Sequence, residues 1–479
     1  MSAIDGQPIL TAAAMRAAER RAVAAGTSIA TLMENAGARV AETTYRLSSG
    51  ASILIVCGRG NNGGDGYVAA RVLKANGANV RVASIGQPTS DEASRARALW
   101  DGPEVPLFEA VGSPVLVDAL FGTGLSRPIA QPIGDRLSHL IAAAQLSIAV
   151  DLPSGLHCDT GETLSESRIS CVDVTLALGA VKPVHVLARS SGLCGSVKLV
   201  DIGVALPADW DTCVIARPSL GAPTMESSKY TRGMVVVIGG AMPGAAALAA
   251  EAVLRSGAGY SLLLTDEPPA HMPHAVVRRP WSVAGLNDPR IGAIVVGPGL
   301  GRDVAARKKL RAALATDRPL VIDGDALHLL KGHSLKERAA PTILTPHGGE
   351  FRALFGDWSG SKIDAARDAA ERIGAVVVFK GADTIIADTN GRIIVAPHGP
   401  GWLSTAGTGD VLAGAIGAML TTANIRRIDN PASRRAFGER ESAGVAAAVW
   451  LHAEAARRLG GAFIADDLAR ALSAARAGV

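Results

Sequence analysis

At 479 residues the chain exceeds what one core usually organises, and length alone leads us to expect two or three domains. Hydrophobic residues make up 48% and charged residues 19%, which excludes a largely disordered chain, and a formal net charge of +4 makes no case for nucleic acid or an anionic membrane surface. No apolar stretch reaches the ~20 residues that span a bilayer, the amino terminus MSAIDGQPIL lacks a basic segment leading into an apolar one, and the five cysteines (Cys57, Cys158, Cys171, Cys194, Cys213) never fall as C-x-x-C, so a soluble cytoplasmic protein without disulfides or zinc is expected.

Thr11 is placed to cap a helix through the alanine-rich MRAAERRAVAA; Gly26 interrupts it, and LMENAGARVAETTY resumes a helical pattern. Short apolar runs follow, each closing on glycine, aspartate or proline: ILIVCG at 53–58, VRVASIG at 80–86, VLVDALFG at 115–122, SIAVDLPSG at 147–155, VTLALG at 174–179 and SVKLVDIG at 196–203. Helical stretches between several of them imply βαβ units, and strands apolar throughout imply burial on both faces. The rhythm stops at RPSLGAPTMESSK, so a first domain is expected over 1–215, a linker over 216–228 and a second domain over 229–479. There a second series runs through MVVVIGG, YSLLLTD, AIVVGPGLG, LVIDGDAL, TILTPHGGEF and VVVFKGADTII to a helix after TAGTGD.

The segment GRGNNGGDG at 58–66 sits between a strand and a helix, where glycines allow a tight turn and backbone N–H groups can face a phosphate. It contains G-x-G-x-x-G (Gly58, Gly60, Gly63), a weak signal by itself. An NAD-dependent dehydrogenase would also want an acid at the end of the second strand, near Ser84, yet none occurs before Asp91. Asp118 and Asp151 close the next two strands. Each turn alone is an ordinary capping site; three at successive strand ends point to one crevice.

NNGGDG, DALFGTGL and DLPSG, together with ILTAAAMRAAERRAVAAG and LMENAG, resemble the epimerase domain of NAD(P)H-hydrate repair proteins. The resemblance implies that Asn61, Asn62, Gly63, Gly64 and Asp65 line the hydrate site. Gly122, Thr123, Gly124, Leu125, Ser126, Arg127, Pro128 and Asp151 would complete it, and Asn62, Asp118 and Ser154 would hold a potassium ion. The damaged carbon, C6, carries a hydroxyl and the ring nitrogen, so opening either its C–O or its C–N bond permits inversion. Asp151 is the candidate acid–base residue for the hydroxyl proton.

In TAGTGD, glycines ahead of an apolar helix leave N–H groups open to negative charge, and Asp410 is placed to take a proton from an attacking hydroxyl. G-x-G-D near the end of an α/β domain resembles the ribokinase-like kinases. GGAMPGAAALAAEAVLRSGAG at 239–259, with Ala241 where serine is commoner, narrows the resemblance to the ADP- or ATP-dependent NAD(P)H-hydrate dehydratase, as do GPGLG, IDGDAL, TPHGGEF and KGADTII. TPHGGE departs from the commoner proline after histidine. By this resemblance Ala245, Gly301, His347 and Asp410 would contact the hydrate. Lys380, Gly381, Ala382, Asp383, Thr384 and Gly409 would contact ADP or ATP, bound with Mg2+.

The expected architecture is thus α/β throughout, a Rossmann-like three-layer sandwich followed by a ribokinase-like domain. The expected function is repair of NADH and NADPH hydrates, by epimerisation at C6 and nucleotide-dependent dehydration. A kinase of a small hydroxymethyl compound and a non-catalytic epimerase-like scaffold are the alternatives. Expected partners are the two hydrates and ADP or ATP, with no nucleic acid and no membrane; self-association into a homo-oligomer is left open. The arginine-rich tract 426–440 reads as a solvated insertion, and Cys57, abutting the glycine-rich segment, is the cysteine to test for reactivity.

Overall fold

A computed structural model describes residues 4–421 and 440–479. The chain divides into two compact units, Met1–Trp210 and Asp211–Val479. The division therefore precedes the expected linker at 216–228, for a reason that lies in the second sheet.

In the first unit, β1 (Ile53–Cys57), β2 (Val80–Ser84), β3 (Glu104–Pro106), β4 (Val115–Ala119), β5 (Leu146–Val150), β6 (Val174–Leu178) and β7 (Ser196–Val200) form one sheet in the order β3-β2-β1-β4-β5-β6-β7. Every pairing is parallel. Apolar side chains on both sides of each strand follow from this. Ile53, Ile55 and Cys57 join the core beneath α1 (Ala12–Ala24), α2 (Ile29–Ser48) and α3 (Asn61–Ala75), whereas Leu54 and Val56 join a second core with Leu137, Leu140 and Ile141 of helix Gln131–Ala143. Thr11 caps α1, its hydroxyl accepting from the Ala14 N–H at 3.2 Å. Chain order reverses between β1 and β4, and the loops leaving their carboxyl ends flank the crevice such a reversal opens.

One local expectation needs correction. The glycine-rich segment is not a loop as far as Gly66: α3 begins at Asn61, with Gly60 as its cap, so NNGGDG is its first turn and a half. Its glycines serve packing. A Cβ at Gly66 would lie 2.7 Å from Ala119 Cβ and 2.9 Å from Cys57 Sγ, so only glycine lets α3 settle this close to β1 and β4; one at Gly64 would press on the tip of Met33, 2.6 Å from its Cε.

The second sheet comprises β8 (Thr212–Val214), β9 (Met234–Ile238), β10 (Tyr260–Leu264), β11 (Val277–Arg279), β12 (Ile291–Val296), β13 (Leu320–Ile322), β14 (Thr342–Leu344), β15 (Val376–Phe379), β16 (Thr384–Ala387) and β17 (Ile393–Ala396). Their order is β11-β10-β9-β12-β13-β14-β15-β16-β17-β8. β16 runs antiparallel to both of its neighbours, β15 and β17, and β8 lies parallel to β17. Thr212–Val214 thus belongs to the second sheet, which is why the unit starts at Asp211. Helix Thr408–Thr421 is buried almost all round because it is sandwiched between the sheet and helices Pro243–Arg255 and Arg440–Leu459. Among the described residues no helix is long and apolar enough to cross a membrane. Apart from the backbone of Arg440, the tract 426–440 lies outside the described residues.

Candidate active sites

In the first unit the loops after β1 and β4 touch: a Cβ on Gly58 would fall 1.7 Å from the Leu120 carbonyl oxygen. Above them opens a cleft of about 1130 Å³, walled by Asn61, Asn62 and Asp65 of α3, by Leu120 to Arg127, by Asp151, and by Arg16, Glu19 and Arg20 of α1. Gly63, Gly64 and Pro128 are not in its wall; Gly63 packs on the Gly58 carbonyl and Gly64 on Met33. Asn61 Oδ1 accepts from Ser90 Oγ at 2.6 Å, which ties the head of α3 to the next β–α turn.

Asp118, next to last in β4, is 1% exposed. Its carboxylate accepts from Ser154 N–H (2.9 Å), Ser154 Oγ (2.7 Å) and Leu120 N–H (3.1 Å), while Ser154 Oγ accepts from Phe121 N–H at 2.8 Å. Burial still outweighs these bonds and holds the Asp118 carboxyl above its usual range. Asn62 lies across the β4 loop, its Oδ1 2.9 Å from where a Gly122 Cβ would be, and its buried Nδ2 has no hydrogen-bond partner among the described residues.

Asp151 opens the turn after β5 with φ of +68°, in the left-handed region that costs a non-glycine residue about 1–3 kcal/mol. Its carboxylate forms a buried ion pair with Lys182, whose side chain is 1% exposed. Lys182 Nζ also donates to the Leu178 carbonyl at 2.6 Å. His185 braces both residues: its Nδ1 accepts from the Lys182 N–H (3.0 Å), so its Nε2 carries the proton and donates to the Asp151 carbonyl (2.8 Å). Burial, with Lys182 beside it, pushes the His185 pKa down to about 4 and keeps the ring neutral. Burial also raises the carboxyls of Asp65 and Glu19, helped in each case by the negative charge of Asp151. Sequence reasoning missed Lys182, His185 and the Arg16–Glu19–Arg20 face. The signal for the first was a single lysine in the apolar run GAVKPVHVL.

In the second unit the expected residues stand at successive carboxyl ends of the sheet. After β9 and β12, would-be Cβ atoms at Gly240 and Gly299 fall 2.1 Å and 2.4 Å from the Leu300 and Met242 carbonyl oxygens; Gly301 sits on these joined loops and Ala245 in the first turn of helix Pro243–Arg255 beside them. After β13, Asp323 accepts from Thr345 Oγ1 (2.6 Å) and from Lys380 Nζ (2.8 Å), which reaches across from the end of β15. Burial works against the Lys380 ammonium, but Asp323, Glu350 and Asp410 outweigh it and hold its pKa above the usual lysine range. Lys380 Nζ is 3.2 Å from where a Gly409 Cβ would be, so it lies against the head of helix Thr408–Thr421. There Asp410 is pushed up to about 7, by burial first and then by Asp323, Asp325 and Glu350, with Lys380 opposing. His452 donates from Nε2 to the Thr408 carbonyl at 2.9 Å; burial lowers its pKa to about 4, so this prop on the glycine turn stays uncharged.

Beyond Gly63, Gly64 and Pro128, two further placements differ from expectation. Asp383, expected at the nucleotide, turns its carboxylate inward onto Lys362, leaving the backbone of its exposed neighbours Gly381 and Ala382 to face a ligand. Cys57 is fully buried in the core, and burial together with Glu104 raises its thiol well above the ordinary range, the reverse of a reactive cysteine. His347 is the cap of helix Gly348–Phe355: its Nδ1 accepts from Gly349 N–H (2.9 Å) and its own N–H donates to Glu350 Oε2 (2.9 Å), while the ring stays largely exposed.

Comparison with known sequences finds a matching family in each unit. The family described as NAD(P)H-hydrate dehydratase matches residues 235–476, and that described as YjeF-related protein N-terminus matches residues 29–184. The bifunctional NAD(P)H-hydrate repair enzyme Nnr of Mycobacterium tuberculosis is 35% identical over 385 residues, covering 78% of this chain and 79% of its own length. That of Salinibacter ruber is 34% identical over 481 residues, covering 86% and 88%. The chain belongs to the bifunctional NAD(P)H-hydrate repair enzymes. As a hydrate repair enzyme it carries epimerase and dehydratase activities, on a Rossmann-like unit followed by a ribokinase-like one. Among solved structures, the ADP/ATP-dependent NAD(P)H-hydrate dehydratase of Bacillus subtilis, co-crystallised with ATP and Mg2+, aligns with 54% of this chain and 93% of its own at 26% identity and a TM-score of 0.43.

Proposed function

We propose that the cleft around Asp151 inverts C6 of hydrated NADH and NADPH, and that the site around Asp410 dehydrates one epimer with ADP or ATP, taken up as the magnesium complex. The observation that carries the second step is Asp410 itself. It sits in the first turn of a helix whose preceding glycines leave amides open, it is flanked by Lys380, and burial sets it near pH 7. A base poised there takes the C6 hydroxyl proton as the hydroxyl oxygen attacks the transferring phosphoryl group. Helix amides and Lys380 stabilise the charge that develops, phosphate then leaves where hydroxide would not, expelled by the ring nitrogen lone pair, and loss of a proton from C5 to the departing phosphate or to water restores the C5–C6 double bond. Ala245, Gly301 and His347 shape the hydrate side; Lys380 to Thr384 and Gly409 form the nucleotide side, through backbone at Asp383.

In the first unit Asn62, Asp118 and Ser154 fit a potassium ion. Asp118 is a buried carboxylate whose close partners, among the described residues, are all neutral donors. A half-turn of the Asn62 amide would put its oxygen where the unpartnered Nδ2 lies. Bound potassium supplies the charge that joins the turns after β4 and β5. Arg16, Arg20, Arg59 and Arg127 ring the cleft and suit the hydrate's phosphates.

The test is recovery of reduced-nicotinamide absorbance from NADH hydrate containing both epimers. With a nucleotide and magnesium, complete recovery is expected; without nucleotide, none. Recovery stopping at the share of one epimer would remove the epimerase reading, and a persistent phosphorylated product would favour a small-molecule kinase. The dehydration kcat/KM should rise with pH and level off above about 7, because Asp410 must be ionised to act. A profile flat between pH 5 and 8 would exclude it as the base.

A further inference from the structure

We propose that Lys182 is the proton donor that works opposite Asp151 in epimerisation, and that the bond opened at C6 is the one to the ring nitrogen. This rests on the epimerase reading of the cleft. Several unfavourable features meet at its floor. A non-glycine residue is held at φ +68°, and a lysine and an aspartate are both withdrawn from water. An apolar pair of similar volume would serve the fold as well or better, so the charges point to chemistry. Of the three N–H bonds of Lys182, one meets Asp151 and one the Leu178 carbonyl, and both side chains line the cleft. The pair can therefore accept a proton at one atom and supply one at its neighbour.

Ring opening needs both. The hydroxyl O–H bond breaks, its proton passing to the Asp151 carboxylate, while the freed pair forms the carbonyl at C6. The C6–N bond breaks and the ring nitrogen takes a proton from Lys182. Proton passage from Asp151 to Lys182 across their hydrogen bond restores carboxylate and ammonium. Rotation about C5–C6 then presents the other face of the aldehyde, and the same steps in reverse close the ring. Protons and electron pairs balance with no further reactant. The neighbouring acids Glu19 and Asp65 surround the pair with carboxyl groups, and His185 is the positioning residue, fixing the Asp151 carbonyl and the Lys182 amide at once.

The experiment follows interconversion of the separated NADH hydrate epimers by chromatography, without nucleotide, using the full chain. Lys182→Ala is expected to lower kcat by about 10²-fold or more, with dehydration of the other epimer by the second unit reporting an intact protein. Small alkylamines should restore the rate in proportion to their basicity. Lys182→Arg, which keeps the charge but cannot release a proton, should remain inactive with an unchanged melting temperature. Inversion in ¹⁸O-water should proceed without obligatory label uptake. Wild-type rates in Lys182→Arg, rescue independent of amine basicity, or one label in every inverted molecule would each overturn the proposal. Failure of the wild type to interconvert the epimers would instead overturn the epimerase reading itself.

Discussion

Asp410→Asn is expected to abolish nucleotide-dependent dehydration, by about 10²–10⁴-fold for loss of a general base, and to leave epimerisation untouched. The same change should make the protein more stable at pH 8. The Asp410 carboxyl has a pKa of 3.8 as a free side chain and about 7 in the fold, so the folded state binds the extra proton between those values. Its contribution is fully present below pH 3.8 and is lost as pH rises through 7, by something of order 1–4 kcal/mol. Asparagine has the same shape and no charge to lose, so its gain over wild type should be largest at pH 8 and vanish near pH 4. Urea denaturation at the two pH values, beside a dehydration assay, checks both halves of the statement. An inactive variant with no pH-dependent gain would mean that Asp410 is not held against Asp323 as described.

Asp151→Asn should act in the opposite sense on stability. Asparagine tolerates the left-handed backbone, so the turn after β5 survives. Lys182 is then left buried without its counter-charge, a change that typically costs about 3–5 kcal/mol. Epimerisation should fall by about 10²–10⁴-fold. The double variant with Lys182→Met should recover most of the stability, because an apolar stem suits that floor, yet recover no activity. A chromatographic epimer assay and urea titration of the two single variants and the double variant complete the cycle. If the double variant is as unstable as the single one, the pair is not the source of the loss.

The strands were legible because each apolar run ends on a residue that cannot continue it. Ile53–Cys57 stops at Gly58 and Leu146–Val150 at Asp151, and parallel topology then brings those ends together. The floor of the first cleft was not legible. Asp151 and Lys182 lie on turns 31 residues apart in sequence, and nothing local says that a lysine after β6 bends back beneath β5. The glycines of NNGGDG read as a flexible turn, but their role is close packing inside a helix, which depends on Met33 and Cys57 arriving from elsewhere. Asp383 and Cys57 misled for a related reason: position beside a motif does not say whether a side chain faces the ligand or the core. The short strands β3, β8 and β11 carry too few residues to show a period.

The last of the ten strands in the second sheet has a practical consequence for dividing the protein. A dehydratase half begun at residue 229, where the chain's composition suggests cutting, would lack Thr212–Val214. The partner strand Ile393–Ala396 would then lose its cover along Ile393, Ile394 and Val395, a β-branched stretch with its backbone N–H and C=O groups unpaired. Such an edge recruits a strand from another molecule. Three residues at the far margin of the sheet, distant in sequence from either chemistry, thus stand between a monodisperse fragment and an aggregating one.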